Sequence, residues 1–344
     1  MTKLARIVLI IGLVLVVALG VLLEANWDQV RSLVSVRTLD NDYPFFAMHY
    51  YGDYDLGTLP PQSPSEVPEV RRSEPSAVPA WACTCFSALN EEGHPLFGRN
   101  FDWHNHAALI LFTHPRESYA SVTMVDVAYL GFSADEYRRE GRRTLGWADR
   151  LSLLDAPSMP FDGMNECGLA VGCLAVPDDD PGGDPSKGTV GSLMAMRLLL
   201  DHARDVDEAI ALLERYNIDF DEGPHLHYLI SDAQGDSAVV EYMSGQMHVV
   251  RKTEPWQVVT NFPVSSRPLQ QSDSECWRYN RAYGALEATG GSVSEAEAMR
   301  VLDRSSQRTT MWSVVYDLAH GSIRVAAGRR YDSVVELALK MTCD

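Results

Sequence analysis

Cys83, Arg99 and Asp102 are the residues whose types and spacing first suggest chemistry. A thiol attacks a carbonyl carbon only as its thiolate, so it needs a proton acceptor and a positive charge beside it. Residues 86–89 and 95–101 read as strands flanking a turn at 90–93, where Asn90 and Gly93 supply the turn chemistry. A hairpin centred between Glu91 and Glu92 pairs residues whose numbers sum to roughly 183. That sets Cys83 opposite about Asn100, next to Arg99 and within reach of Asp102. If the chain is cut between Ala82 and Cys83, the cysteine gains an α-amine whose ordinary pKa of about 7.7–8 suits it to take the thiol proton. Arg99 then favours the thiolate and Asp102 holds the amine. The spacing alone also allows a surface ion pair beside a buried cysteine.

The elements that must position these groups are mostly strands. Strand signals cover residues 168–176, 225–233, 237–243, 246–252, 256–262 and 311–327, the last broken by a turn at His320-Gly321. Helical periodicity covers 191–204, 207–216 and 295–303, with Asp205 as a cap and Ser294 with Glu297 as a capping box. Meandering strands with a few helices between them imply an α+β fold. Upstream, residues 43–54 are aromatic-rich and read as a packing segment. Residues 55–80 contain six prolines among Ser, Glu and Val, a stiff exposed linker. The linker ends just before Cys83, so the folded body is expected to begin there.

The 344 residues suffice for one large core or two modest domains, and 46% apolar with 22% charged residues is ordinary for a globular protein. A net charge of -18 argues against nucleic acid or an anionic membrane surface as the main partner. The N-terminus differs: Lys3 and Arg6 precede an uncharged apolar run over residues 7–23. At about 1.5 Å per residue the run is a short membrane anchor or a long signal segment, with the body outside the cytoplasm. Six cysteines permit disulfides there, but their spacing fits no zinc motif and some free thiols are expected.

Further motifs accompany these. Cys83-Thr84 followed by LFGRNFDW at 96–103 resembles the start of the choloylglycine hydrolase and penicillin V acylase family. DGMNECGLAVGCLAVP (162–177), HYLISDAQGDSAVVEYMSGQMHVV (227–250), VVTNFP (258–263), CWRYNRA (276–282) and TMWSVVYDL (310–318) follow in the family's order, so the resemblance runs from residue 83 to about 330. It implies an N-terminal-nucleophile hydrolase with a four-layered αββα sandwich at residues 83–344. Residues 1–24 would then be the transmembrane or signal segment, and residues 25–82 a juxtamembrane leader and propeptide. It also implies cleavage of a linear amide C–N bond in an N-acylated small molecule through a thioester, without cofactor or metal.

Position by position, the resemblance makes Cys83 the nucleophile, Arg99 the arginine beside it and Asp102 the contact of the α-amine. Asn261 becomes the side-chain oxyanion donor and Arg278 the last catalytic arginine, with Arg281 close enough to compete for that role. Ala175 stands where bile-salt hydrolases carry Asn and penicillin V acylases Tyr; its backbone N–H would serve, but its side chain supports neither substrate class. Cys85 stands where small residues are usual and reads as structural. Acyl transfer on the same scaffold and a non-catalytic cell-surface binding protein are the alternatives, and self-association is left open. His104 with His106 and His225 with His227 have the two-residue spacing of zinc ligands but read as ordinary loop or strand histidines. Asn165 reads as a turn residue, and the basic cluster at 138–143 as a solvated surface or an attractor for anionic substrate.

Overall fold

The computed structural model describes residue 24 and residues 26–40, 42–54, 82–103, 107–131, 145–220, 223–266 and 275–343. The expected membrane or signal segment over residues 7–23, the proline-rich linker, the pair His104 and His106, and the basic cluster at 138–143 lie outside these residues. Among the described residues, no helix is long and apolar enough to cross a membrane.

Short runs rich in strand-forming residues, most of them buried on both faces, make up much of the chain. The first elements are helix α1 (Trp27–Ser35) and strands β1 (Arg37–Asp40), β2 (Phe45–Tyr51), β3 (Ala82–Leu89), β4 (Pro95–Asp102), β5 (Ala108–His114) and β6 (Ser121–Asp126). Then come α2 (Trp147–Ser152), β7 (Asp162–Asn165), β8 (Ala170–Ala175), β9 (Gly188–Gly191), α3 (Ser192–His202), α4 (Val206–Leu213) and β10 (Tyr216–Asp219). The remainder comprises β11 (Leu226–Ser231), β12 (Ser237–Met243), β13 (Gln246–Arg251), β14 (Gln257–Val259), α5 (Trp277–Glu287), α6 (Glu295–Ser305), β15 (Thr310–Asp317), β16 (Ser322–Ala327) and β17 (Val335–Ala338).

Nine strands form one sheet in the order β1-β2-β5-β6-β7-β8-β11-β12-β13, and six form a second in the order β14-β3-β4-β15-β16-β17. The two sheets pack face to face. Cys83, Cys85, Phe97 and Phe101 lie in the core between them, while Phe86, Ala88 and Leu96 on the opposite face pack against Tyr279, Leu286 and Leu302 of α5 and α6. Helices α3 and α4 cover β7, β8, β11 and β12. The result is a mixed α/β sandwich, as expected, with helices outside both sheets. Local signals hold as well: Asp205 accepts the Glu208 N–H at the start of α4, and Ser294 with Glu297 forms the capping box of α6.

Two expectations need correction, and one motif gains a structural assignment. The hairpin β3–β4 pairs Cys83 with Phe101 and Cys85 with Arg99, one residue away from the expected register. Gly93 adopts a left-handed φ of +85°, and the Gly93 N–H donates to the Asn90 carbonyl. The loop thus has an odd number of residues and centres on Glu92 rather than beside it. CWRYNRA was read only as a motif; it forms the first turns of α5.

Second, the folded body does not begin at Cys83. Strand β2 pairs in parallel with β5 from Phe45↔Ala108 to Tyr51↔His114, and Phe45, Phe46, Ala47 and Met48 are buried. Tyr54 donates to Asp201 of α3 at 2.5 Å. The aromatic segment packs, as read, but it does so as an integral strand. The proline-rich linker hid this, because a composition break resembles a domain boundary whether or not the chain upstream returns to the sheet.

A disulfide joins Cys167, in the turn between β7 and β8, to Cys343 near the C-terminus. Cys83, Cys85 and Cys173 remain thiols, so the chain holds both the bridge and the free thiols that its composition permits. Asn165 organises that turn as expected, its Oδ1 accepting from the Cys167 and Leu169 N–H groups.

If the leader belongs to the folding unit, Met48→Ala should lower unfolding stability by about 2–5 kcal/mol, the usual cost of emptying a buried methionine site. Urea denaturation followed by tryptophan fluorescence measures it, and an unchanged midpoint would separate the leader from the body.

Candidate active site

Arg99 reaches Cys83 from the neighbouring strand. Strand side chains alternate, so Cys83 and Cys85 share a face with Phe101 and Arg99. Arg99 Nη2 lies 3.7 Å from Cys83 Sγ and Nη1 lies 3.3 Å from Cys85 Sγ. The guanidinium is fully buried, and its Nε lies 3.0 Å from Asp162 Oδ2 as an ion pair whose N–H is not aligned as a hydrogen bond. Asp162 is itself held by Trp312 Nε1 at 2.8 Å and the Tyr316 hydroxyl at 2.7 Å, both donating from β15. Gly172 of β8 makes room for this group: a Cβ there would come within 3.0 Å of Cys85 Sγ and 3.1 Å of Arg99 Nη1.

Burial pushes the Cys83 thiol pKa up, and the Arg99 charge opposes that shift. Burial pushes Cys85 and Cys173 up to about 12, so both stay protonated thiols at neutral pH. Cys83 is only 1% exposed in the uncut chain. A thiol both protonated and sealed is a poor nucleophile.

Two further groups converge on the Cys83 backbone. The Cys83 N–H donates to Asn261 Oδ1 at 2.6 Å. Arg278, in the first turn of α5, donates to the Cys83 carbonyl through Nη1 and to Asn261 Oδ1 through Nη2 at 3.0 Å. Asn261 Nδ2 donates to the Ala175 carbonyl at 2.7 Å. Arg281 turns away: its Nη1 donates to the Arg304 carbonyl and its guanidinium lies over Trp277. Geometry therefore brings Arg278, not Arg281, to Cys83.

Asp102 sits opposite Ala82, on the strand face away from the Cys83 thiol. Its carboxylate accepts from Thr310 Oγ1 and, at 2.8 Å, from Gln307 Nε2, and burial raises its pKa against those bonds. The carboxylate thus stands beside the Ala82–Cys83 bond, and the Cys83 N–H is directed to Asn261. His225 and His227 do not converge on a common point. His225 Nδ1 accepts the Asp179 N–H, whereas both nitrogens of His227 engage Glu241 and the Thr260 carbonyl.

Sequence reasoning named Asn165 in the block at 162–177 and passed over Asp162 and Gly172. The available signals were an acidic residue opening an otherwise apolar strand and a glycine inside one. The first implies a buried partner, the second a close approach.

The profile of the linear amide C–N hydrolases, choloylglycine hydrolase family, matches residues 83–273. A penicillin V acylase of Pectobacterium atrosepticum (strain SCRI 1043) is 27% identical over 209 residues, 55% of this chain and 51% of that protein. The chain thus spans about half the length of this curated relative. Two solved structures share the fold. A mutant of the conjugated bile acid hydrolase from Clostridium perfringens superposes with a TM-score of 0.56 at 18% identity, covering 76% of this chain and 93% of that one. The penicillin V acylase from Agrobacterium tumefaciens gives 0.54 at 21% identity, covering 76% and 88%. With its profile match starting at the cysteine that Arg99, Asn261 and Arg278 surround, the chain belongs to the choloylglycine hydrolase family of linear amide C–N hydrolases.

Proposed function

We propose that the protein is an N-terminal-nucleophile amidohydrolase in which Cys83, freed at its amino end, attacks the acyl carbonyl of an N-acylated small molecule. The observation that carries this reading is the convergence of three groups on one residue: Arg99 on the Cys83 thiol, Asn261 on its N–H and Arg278 on its carbonyl. In the mature form the α-amine takes the thiol proton, Arg99 stabilises the thiolate and Asp102 orients the amine. The tetrahedral oxyanion accepts hydrogen bonds from Asn261 Nδ2 and the Ala175 N–H. The amine product leaves with the proton held by the α-ammonium, and water hydrolyses the thioester to release the acid and restore the thiol. With only a methyl side chain at Ala175, the acyl specificity need not follow that of either named relative.

Cys83→Ala should reduce amide hydrolysis at least 1,000-fold, whereas Cys85→Ala should keep most of it, although Cys85 lies nearer to Arg99. Turnover of penicillin V, a glycine-conjugated bile acid and a set of N-acyl amino acids tests this. Equal loss in two folded single variants would reject Cys83 as nucleophile.

The mechanism requires Cys83 to be the first residue of its chain. The uncut thiol is sealed, and the Ala82–Cys83 bond that must be cut lies at the very start of β3. The cut separates two polypeptides that remain associated, because β1 and β2 are strands of the nine-stranded sheet. Native mass spectrometry of active material should show a chain beginning at Cys83 bound to an N-terminal fragment, and denaturing conditions should part them. Full activity in a chain still carrying Ala82 would remove the α-amine as base.

The body belongs outside the cytoplasm, tethered or released after processing. Lys3 and Arg6 ahead of the apolar run support this orientation, as does a disulfide of the kind that persists in oxidising compartments. A reporter fused after Asp344 should be active only outside the cytoplasm; a signal confined to the cytoplasm would reverse the orientation.

A further inference from the structure

His227 lies on β11, fully buried, and both of its ring nitrogens are engaged. Nε2 is 2.7 Å from the Thr260 carbonyl oxygen and Nδ1 is 2.8 Å from Glu241 Oε1 on β12. A carbonyl oxygen only accepts, so Nε2 carries a hydrogen. Glu241 Oε1 also accepts the Val264 N–H at 2.8 Å, and Oε2 accepts the Ser265 N–H at 2.9 Å. Burial alone would raise the Glu241 pKa, but the hydrogen bond and charge of His227, with the bonds from Ser265 and Val264, bring it down to about 2. Glu241 Oε1 and His227 Nδ1 therefore share one hydrogen at 2.8 Å, while Nε2 donates to Thr260.

This hydrogen-bonded pair grips both ends of one short irregular segment. Thr260 is held by the His227 ring, and Val264 and Ser265 are held by the Glu241 carboxyl group. Asn261 lies between these grips, where its side chain bridges the Cys83 N–H and the Ala175 carbonyl. His227 also pairs across the sheet with Leu174, the neighbour of Ala175. Segment 260–265 has no helix or strand of its own to fix it, so these bonds set its position relative to β8.

We propose that His227 and Glu241 act as a positioning pair for the oxyanion site, holding the Asn261 amide at the height where it meets the tetrahedral intermediate formed at Cys83. The inference rests on the reading of Asn261 as an oxyanion donor. An amide nitrogen has two hydrogens; one goes to the Ala175 carbonyl and the other is the donor to the substrate. Small displacements of such a donor are expensive in rate, because its bond must form in the transition state.

Two probes separate this role from general structural support. Acylation of Cys83 by 4-nitrophenyl acetate passes through an oxyanion, whereas alkylation of the same thiol by iodoacetamide does not. In the processed enzyme, His227→Gln and Glu241→Gln should each slow acylation by between about 10- and 100-fold and leave alkylation within about twofold. Loss of both reactions together, or of neither, in the variants would overturn the proposal. Asn261→Ala is the reference. If acylation persists in it, the oxyanion assignment itself fails and the positioning role fails with it; if acylation falls there but not in the histidine and glutamate variants, only the positioning role fails. Independently, ¹⁵N-labelled histidine in the wild-type protein should give a His227 signal, identified by its absence from His227→Gln, in which Nε2 carries a hydrogen. A bare Nε2 in that signal would also overturn the proposal.

Discussion

A permanently charged guanidinium sealed between two sheets constrains everything around it. Arg99 cannot lose its proton at accessible pH, and an unpaired buried charge would cost several kcal/mol. The fold answers with a carboxylate at 3.0 Å and two thiols at the far end of the guanidinium. Asp162 in turn needs donors of its own, which Trp312 and Tyr316 supply from β15. One charge thereby links β3, β4, β7 and β15, strands drawn from both sheets. The sandwich is pinned together at the position where a thiolate would need stabilising.

The same burial acts on Cys83 while Ala82 is still attached. Desolvation acts on the Cys83 thiol more strongly than the nearby positive charge does, so the thiol pKa rises. What the proposed cleavage would change is the nitrogen of Cys83. An amide N–H can only donate, as it does to Asn261, whereas a free amine can accept a proton. Asn261 and Arg278 already contact the backbone of that residue, at the nitrogen and carbonyl beside the proposed cut.

Much of this was legible from the residues. The capped helices α4 and α6 announced themselves through Asp205, Ser294 and Glu297, and the long strand pair β15–β16 through its apolar run with a turn at Gly321. The hairpin was legible as well, but its register was not. One left-handed glycine decides between an odd and an even loop, and that choice moved Arg99 from beside Cys83's partner to opposite Cys85. The leader was misjudged for a different reason. A strand paired in parallel owes its place to a partner far along the chain, and nothing local in residues 45–51 specifies β5 as that partner. Asp162 and the His227–Glu241 pair were invisible individually, because a buried charge is recognised only when its counter-charge is seen.

The parallel pairing of β2 with β5 also sets an order of events. While the linker is intact, the leader is held near its place in the sheet at the high effective concentration of an intramolecular reaction. Severing the linker after folding removes that advantage without removing the strand. Should the separated chains unfold, the return journey becomes bimolecular and depends on dilution. Assembly would be a unimolecular process that happens once, and the mature form would persist through slow unfolding more than through ready refolding.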